Sequence, residues 1–451
     1  MQSKWERVKL GEYCSKIGSG STPRGGSSVY LESGECALFR SQNVLNNAFS
    51  SNGLVFIDED AAKKLKNVSV EDNDVLLNIT GDSVARVCKA PSAYIPARVN
   101  QHVAIIRTKK DELDSSYVNY YLNSKFMQNQ MLSLASAGAT RNALTKVMIE
   151  NFDIPKPPFP IQKKIAHILS TLDDKIELNR KMNETLEEMA QTLFKSWFVD
   201  FDPVYARATC KSEAELEAAA TKLGISKEVL EQFPSEFVES EMGMIPLGWE
   251  IRELRSLVKQ LKPGTNYQPK RVESGIPFIN GRHIQNGFLT LKDIKYITEE
   301  EYARVHKSWK PEAYDVLITR IGTLGKVGVI LESDLPVALH YNSIDIKTDI
   351  LSHQFLYFLL KSDFFQKQFH LHKKQAVQEF ITIDAVEKLH VILPVSSNNL
   401  NIFSLFFDNI FDSIENNSVQ IKSLQKTRDT LLPKLLSGEV DVTKLESENI
   451  Q

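Results

Sequence analysis

The sequence predicts an α+β protein built twice over. Two tandem, mixed but strand-rich globular domains are separated and followed by two long helices, which pair as an antiparallel coiled coil, with a pseudo-twofold internal repeat. Three observations carry this. Residues 161–199 contain no Gly or Pro and place apolar residues at steps of three and four, the spacing of a long amphipathic helix. Residues 400–436 repeat that stripe. Short motifs recur in the same order along both halves of the chain. The predicted boundaries are 1–160 for the first domain, 161–200 for the first helix, 201–248 for a connector, 249–395 for the second domain, 396–438 for the second helix and 439–451 for a tail.

The first helix carries Ile165, Ile168, Leu172, Ile176, Leu186, Met189 and Leu193 as its seam, with Asn179 filling a gap. At 1.5 Å per residue it extends roughly 55–60 Å, so its stripe needs a partner helix to cover it. The second helix supplies Phe403, Phe407, Ile410, Ile414, Leu424 and Leu431. Ile176-Glu177-Leu178-Asn179 returns as Ile414-Glu415-Asn416-Asn417, so an Asn interrupts both seams at one phase. Either these two Asn are buried and fix the register, or they lie just off the seam and face water.

Within the domains, Trp5-Glu6-Arg7-Val8-Lys9-Leu10 is echoed by Trp249-Glu250-Ile251-Arg252-Glu253-Leu254, and Asp74-Val75-Leu76-Leu77 by Asp315-Val316-Leu317-Ile318. Ile154-Pro155 precedes the first helix as Leu393-Pro394 precedes the second. The offset drifts only from 244 to 238 residues, so each half is one domain followed by one helix. Short β-type runs separated by Gly, Asn, Asp and Pro fill each domain, with an aromatic helix late in each, read as core. The connector, with its acidic Ala/Glu run from Ser212 to Leu223, predicts one or two short helices.

Composition narrows the class. At 42% apolar and 25% charged residues the chain is an ordinary globular protein. No apolar run reaches the ~18 residues of a membrane span, and the first residues lack a signal-peptide core. The four Cys are scattered, without disulfide or zinc spacing, so a cytoplasmic protein without structural metal is expected. The net charge of −3 is unevenly shared. Residues 1–160 hold 19 basic against 16 acidic residues and residues 249–395 hold 20 against 17, leaving the acidity to the helices and connector. Two mildly basic domains permit a polyanionic partner.

Catalytic patterns fail one by one. Lys156-Pro157-Pro158-Phe159 lacks the side-chain acceptor that an amino-methyltransferase motif needs in its first position, since Lys only donates. Gly322–Gly328 has the wrong spacing for a phosphate-binding loop, and Val327 stands where a magnesium-binding hydroxyl belongs. What remains are polar loop residues. The first domain offers Thr22, Arg24, Arg40, Gln42, Asn43, Thr80, Arg86, Asn100, Gln101 and Arg141. The second offers Lys270, Arg271, Asn280, Arg282, His283, Arg320, Thr323, Lys326, His340 and Asn342. Arg, Asn and Gln form paired hydrogen bonds with base edges, while Thr and Lys suit phosphates. These twenty are the candidate DNA-binding residues.

The order domain–helix–domain–helix resembles the specificity (S) subunits of type I restriction–modification systems over essentially the whole chain. The likeness lies in Gly18-Ser-Gly-Ser-Thr-Pro23, Asn100-Gln101, Leu172-Asp-Asp-Lys-Ile-Glu-Leu-Asn179 with Asn183–Glu187, Phe198–Pro203, Gly248-Trp249 and Leu431–Gly438. The second half departs from it, with His340-Tyr341-Asn342 where the first has Asn100-Gln101, and with the aromatic run Phe403, Phe406, Phe407.

The resemblance implies that each domain is a target recognition domain reading one half of a bipartite, asymmetric site in double-stranded DNA. It implies helices that hold the domains about one duplex turn, ~34 Å, apart. It also implies outer helix faces that bind two methyltransferase subunits, through which motor-nuclease subunits join. The chain itself then holds no cofactor, and S-adenosylmethionine, ATP and Mg belong to the assembled complex. Rival readings are a DNA methyltransferase, a protein-binding scaffold, and a specificity subunit of a related defence system.

Overall fold

The computed structural model describes residues 4–136, 143–291, 293–374 and 378–443. Its contacts divide into two units, Met1–Leu178 with Ile421–Gln451, and Asn179–Gln420. Each unit holds one domain and a portion of both long helices, Phe159–Phe198 and Ser397–Ser437.

In the first unit an antiparallel sheet runs in the order Cys14–Ser19, Val103–Thr108, Val75–Asn78, Val87–Lys89. Its two central strands, Val103–Thr108 and Val75–Asn78, are apolar on both sides because both faces are covered. Val75, Leu77, Ala104 and Ile106 face a core built with helices, including Tyr117, Met127, Ile165 and Leu169. Leu76, Val103 and Ile105 face the opposite core, against a second sheet of Val55–Ile57, Cys36–Phe39, Ala97–Val99 and Ser69–Val70. Alternation with period two therefore feeds two cores from one continuous apolar run. The middle strands of the second sheet, Cys36–Phe39 and Ala97–Val99, are parallel, which brings their C-terminal loops side by side.

The second unit repeats this plan. Gln260–Pro263, Ser343–Lys347, Val316–Thr319 and Val327–Val329 form the covered sheet, here continued by Phe288–Leu289 and Ile284–Gln285, and Lys295–Ile297, Ile276–Ile279 and Ala338–Leu339 form the other. The echoed motifs prove to be partners within each repeat. Arg7–Lys9 pairs with Asp153–Pro155, Val8 opposite Ile154, and Trp249–Glu253 pairs with His390–Pro394, Ile251 opposite Ile392. Each ladder ties a domain's first strand to the segment that launches its long helix.

The long helices pack together and run antiparallel. In the first unit Arg428 Nη1 reaches Asp173 Oδ1 at 2.7 Å, and Tyr120 donates its hydroxyl to Asp173 Oδ2 at 2.8 Å. In the second, Asn179 meets Gln420, Asn183 meets Asn417 and Ser418, Phe194 meets Phe407, and Trp197 meets Phe403. Both interrupting Asn are buried, Asn179 at 1% exposure and Asn417 at 9%.

The helix seam differs from the expected stripe in one place. Met189 is 52% exposed, and Ala190, Phe194 and Trp197 point inward instead. At 3.6 residues per turn the stripe drifts around the helix. The small Ala190 shares a core with Phe403, Phe407 and Phe411, where aromatic bulk has taken the available volume. Ile165, Ile176, Phe403, Phe407 and Ile414 are buried, and Ile168, Leu172, Leu186, Leu193, Ile410, Leu424 and Leu431 are half-buried. The aromatic run of the second helix packs on Trp197, Phe198 and Phe233, ring centres 4.3–6.1 Å apart.

The connector is more elaborate than the one or two helices expected. It forms Asp202–Thr209, Glu213–Leu223 and Lys227–Leu230, then a hairpin of Phe237–Ser240 with Gly243–Pro246. Ser212 and Ser226 cap the second and third helices through their hydroxyls. Phe201, Val204, Leu230 and Phe233 are buried in the second unit's core, so the connector is part of that fold. Among the described residues no helix is long and apolar enough to cross a membrane, and no group of His, Cys, Asp or Glu is placed to hold a metal ion.

Candidate nucleic-acid interface

In each domain the loops that carry the polar candidates gather at one end of the sheets. Gly20 begins this in the first domain, because a Cβ there would lie 2.0 Å from the carbonyl oxygen of Val99. The 19–24 loop thus lies directly on the 99–101 turn, with Ser21 N donating to Val99 O at 3.0 Å. Gly264 does the same in the second domain, 2.3 Å from Leu339 O, and Thr265 N donates to that oxygen at 2.8 Å.

Four first-domain side chains then join in a row. Thr22 donates to Gln101 Oε1, Gln101 Nε2 donates to His102 Nε2 at 2.9 Å, and His102 Nδ1 lies 2.5 Å from Thr80 Oγ1. An imidazole that accepts on Nε2 carries its proton on Nδ1, so the row runs in one direction and locks three loops together. His102 was absent from the candidates. Its one signal in the sequence was adjacency to Asn100-Gln101.

The 40–43 loop is held by its last residue. Asn43, fully buried, accepts Arg40 N on Oδ1 at 3.0 Å and donates to Ser50 O at 2.9 Å. Asn78 donates to Ser41 O at 2.8 Å, pinning the loop to the central sheet. Gln42 stands exposed at the tip, its amide donating to Gly53 O at 3.2 Å. Arg40 also reaches Gly53 O and lies over the Tyr30 ring at 5.3 Å.

The second domain rebuilds the same loop with other side chains. His283 Nδ1 accepts Asn280 N at 3.1 Å, and Thr290 N donates to His283 O as Ser50 N does to Asn43 O, both at 2.8 Å. His283 therefore replaces Asn43, Arg282 replaces Gln42 and Asn280 replaces Arg40. The exchange recurs in the next turn, where His102 N donates to Asn100 Oδ1 at 3.1 Å and Asn342 N to His340 Nδ1 at 3.4 Å. Imidazole Nδ1 and amide Oδ1 sit at similar reach from the backbone, so one acceptor substitutes for the other. Burial, with Arg282 nearby, lowers the pKa of His283, and burial, with Arg271 nearby, lowers that of His340. Both rings stay neutral at physiological pH, as acceptors must.

These observations sort the candidates. Asn43, Asn100 and His283 are buried at 0%, 6% and 2% exposure and hold loop backbone through side-chain acceptors. Arg320 is half-buried and spans two loops, donating to Ile381 O at 3.0 Å. Thr22, Arg40, Thr80, Arg86, Asn280, His340 and Asn342 are half-buried at the loop ends, and Arg24, Gln42, Gln101, Lys270, Arg271, Arg282, Thr323 and Lys326 are exposed. Arg271 lies 4.1 Å over the Phe278 ring. Arg86 and Lys326 are equivalent, since the residue's carbonyl accepts Asn78 N in one domain and Thr319 N in the other. Arg141 lies outside the described residues.

The arrangement binds and orients; nowhere among the described loops do a nucleophile, a base and an orienting group converge. The chain matches the family described as "Type I restriction modification DNA specificity domain" over residues 2–188 and again over 246–426. It is 29% identical over 372 residues to the type I restriction enzyme MjaIX specificity subunit of Methanocaldococcus jannaschii, covering 79% of this chain and 77% of that one. It is 30% identical over 337 residues to the HindI specificity subunit of Haemophilus influenzae, covering 68% and 72%. The fold is similar to the crystal structure of the type I restriction–modification S subunit from M. genitalium, with a TM-score of 0.55 at 16% identity and 96% of each chain covered.

Proposed function

The chain belongs to the type I restriction–modification DNA specificity family, and from that premise we propose how its two domains divide the work. It is the DNA specificity subunit of such a system, a non-catalytic part of the complex. Each domain reads one half of a bipartite, asymmetric site in double-stranded DNA through its gathered loop ends. The observation that carries this reading is the pairing of like backbone with unlike side chains. The two loop frameworks share their hydrogen bonds, while the exposed tip holds Gln42 in one and Arg282 in the other. Equivalent scaffolds with different base-pairing groups read different half-sites.

In the same proposal the long helices bind two methyltransferase subunits, and motor-nuclease subunits join through those. The partners then bring S-adenosylmethionine, ATP and Mg and perform the base flipping and methylation in the cytoplasm. Lys156 in the Pro-Pro-Phe stretch, a donor where an acceptor is needed, argues against a methyltransferase in this chain. The test is DNA methylation mapping in cells that carry the chain with its neighbouring genes. Deleting this chain alone is expected to abolish one split methylated motif, and unchanged methylation would refute the reading.

A further inference from the structure

Resting on that reading, one position in each domain is singled out by geometry. The loops 40–43 and 280–283 place four residues alike. The first spends its backbone N–H on the last, at 3.0 Å in one domain and 3.1 Å in the other. The second is small, Ser41 or Gly281, and packs against the central sheet. Asn78 donates to Ser41 O at 2.8 Å, and a Cβ on Gly281 would lie 2.9 Å from Thr319, the residue equivalent to Asn78. The last is buried. Only the third residue is exposed in both domains, and there Gln42 gives way to Arg282.

We propose that Gln42 and Arg282 are the specificity-determining pair, Gln42 reading an adenine and Arg282 a guanine in the opposite half of the site. Arg presents two parallel N–H donors, which match guanine O6 and N7. Gln presents one acceptor and one donor, which match adenine N6 and N7. The amide of Gln42 has the protons to do this while it stays held. One N–H goes to Gly53 O at 3.2 Å, leaving the second N–H and Oε1 for the base. A loop clamped at both ends loses little freedom on binding, so the tip group's hydrogen bonds appear as discrimination.

The test maps methylation in cells carrying the chain with its neighbouring genes, comparing wild type with Arg282→Gln and Gln42→Arg. Both side chains are exposed and outside the cores, so both variants are expected to fold. Arg282→Gln should change one position of one half-site from guanine to adenine, leaving the other half untouched. Gln42→Arg should make the reciprocal change in the other half. Purified Arg282→Gln protein should shift its preference between duplexes carrying guanine or adenine at that position by about tenfold to a hundredfold. An unchanged motif with either variant overturns the proposal. So does a uniform drop in methylation with the motif intact, the mark of a phosphate contact. If wild type directs no methylated motif, the underlying reading of two DNA-reading domains fails instead, and is seen to fail separately.

Discussion

Asn417 donates its side-chain amide to Asn183 Oδ1 at 2.9 Å, and Asn183 in turn donates to Ile414 O at 3.2 Å and Ser418 Oγ at 3.0 Å. With Asn179 bonded to Gln420 at 3.2 Å, a polar rung crosses the helix seam of the second unit. Aliphatic residues there would pack in several registers, whereas the Asn183–Asn417 pair forms in only one. Asn183→Ala strands Asn417, and should cost about 1–3 kcal/mol in denaturant unfolding. Replacing Asn183 and Asn417 together by Leu should restore or raise stability while broadening the oligomer distribution in sedimentation.

The aromatic end of the same seam gives a sharper contrast. Phe407 is fully buried and touches the rings of Phe194, Trp197, Phe355 and Phe358. Phe407→Ala should cost about 3–5 kcal/mol. Met189→Ala, at an exposed site, should stay within about 0.5 kcal/mol. Equal effects in thermal or denaturant unfolding would place the seam on the other stripe.

Stability of the second unit should depend on pH through Asp345. It is fully buried beside Asp315, where the first domain has the apolar Ile105. Gln260 donates to Asp345 Oδ1 at 3.1 Å, and Lys347 lies 3.4 Å from Asp315. Burial first, and then the neighbouring Asp315 carboxylate, hold Asp345 well above the usual carboxylate range. The native state therefore keeps a proton that the unfolded chain releases above about pH 4. Stability is undiminished below that pH and falls as pH rises towards the folded-state value. Asp345→Asn, which mimics the protonated form, should flatten the dependence in denaturant titrations between pH 4 and 8. A wild-type midpoint that rises over that range would contradict the assignment.

Loop clamping predicts a pattern of rescue. Asn43→Ala leaves the Arg40 N–H and two loop carbonyls unpaired, and should blur one half of the recognised sequence while the other half stays sharp. His283→Asn should preserve recognition, because amide Oδ1 can accept the Asn280 N–H as it does in the first domain. His283→Leu, which cannot accept, should not. Selection of duplexes from a randomised pool reads all three outcomes.

The repeat was legible because its signals are periodic and local: stripes at helical spacing and echoed strand motifs that turn out to pair with each other. Met189, expected in the seam, is exposed because the inward face is set by Phe403, Phe407 and Phe411, aromatic residues far along the chain. The connector's place in the second core rests on Phe201 and Phe233, two aromatics in a stretch otherwise polar enough to read as linker. In the candidate site the residue types were visible but their division of labour was not. Asn43 and Gln42 look equally able to read a base until one is seen buried against Arg40 and Ser50. The kinship of Asn43 with His283 is hidden because the shared feature is an acceptor atom, and the residue type differs.

The central claim is that one chain carries two unlike reading heads. Its most direct measurement is selection of duplexes from a fully randomised pool by the full-length chain with its partner subunits at low salt, where phosphate contacts assist retention. Two short blocks of fixed sequence, different from each other and separated by base pairs of no preference, are the predicted result. A single block, or two blocks related as a palindrome, would contradict it.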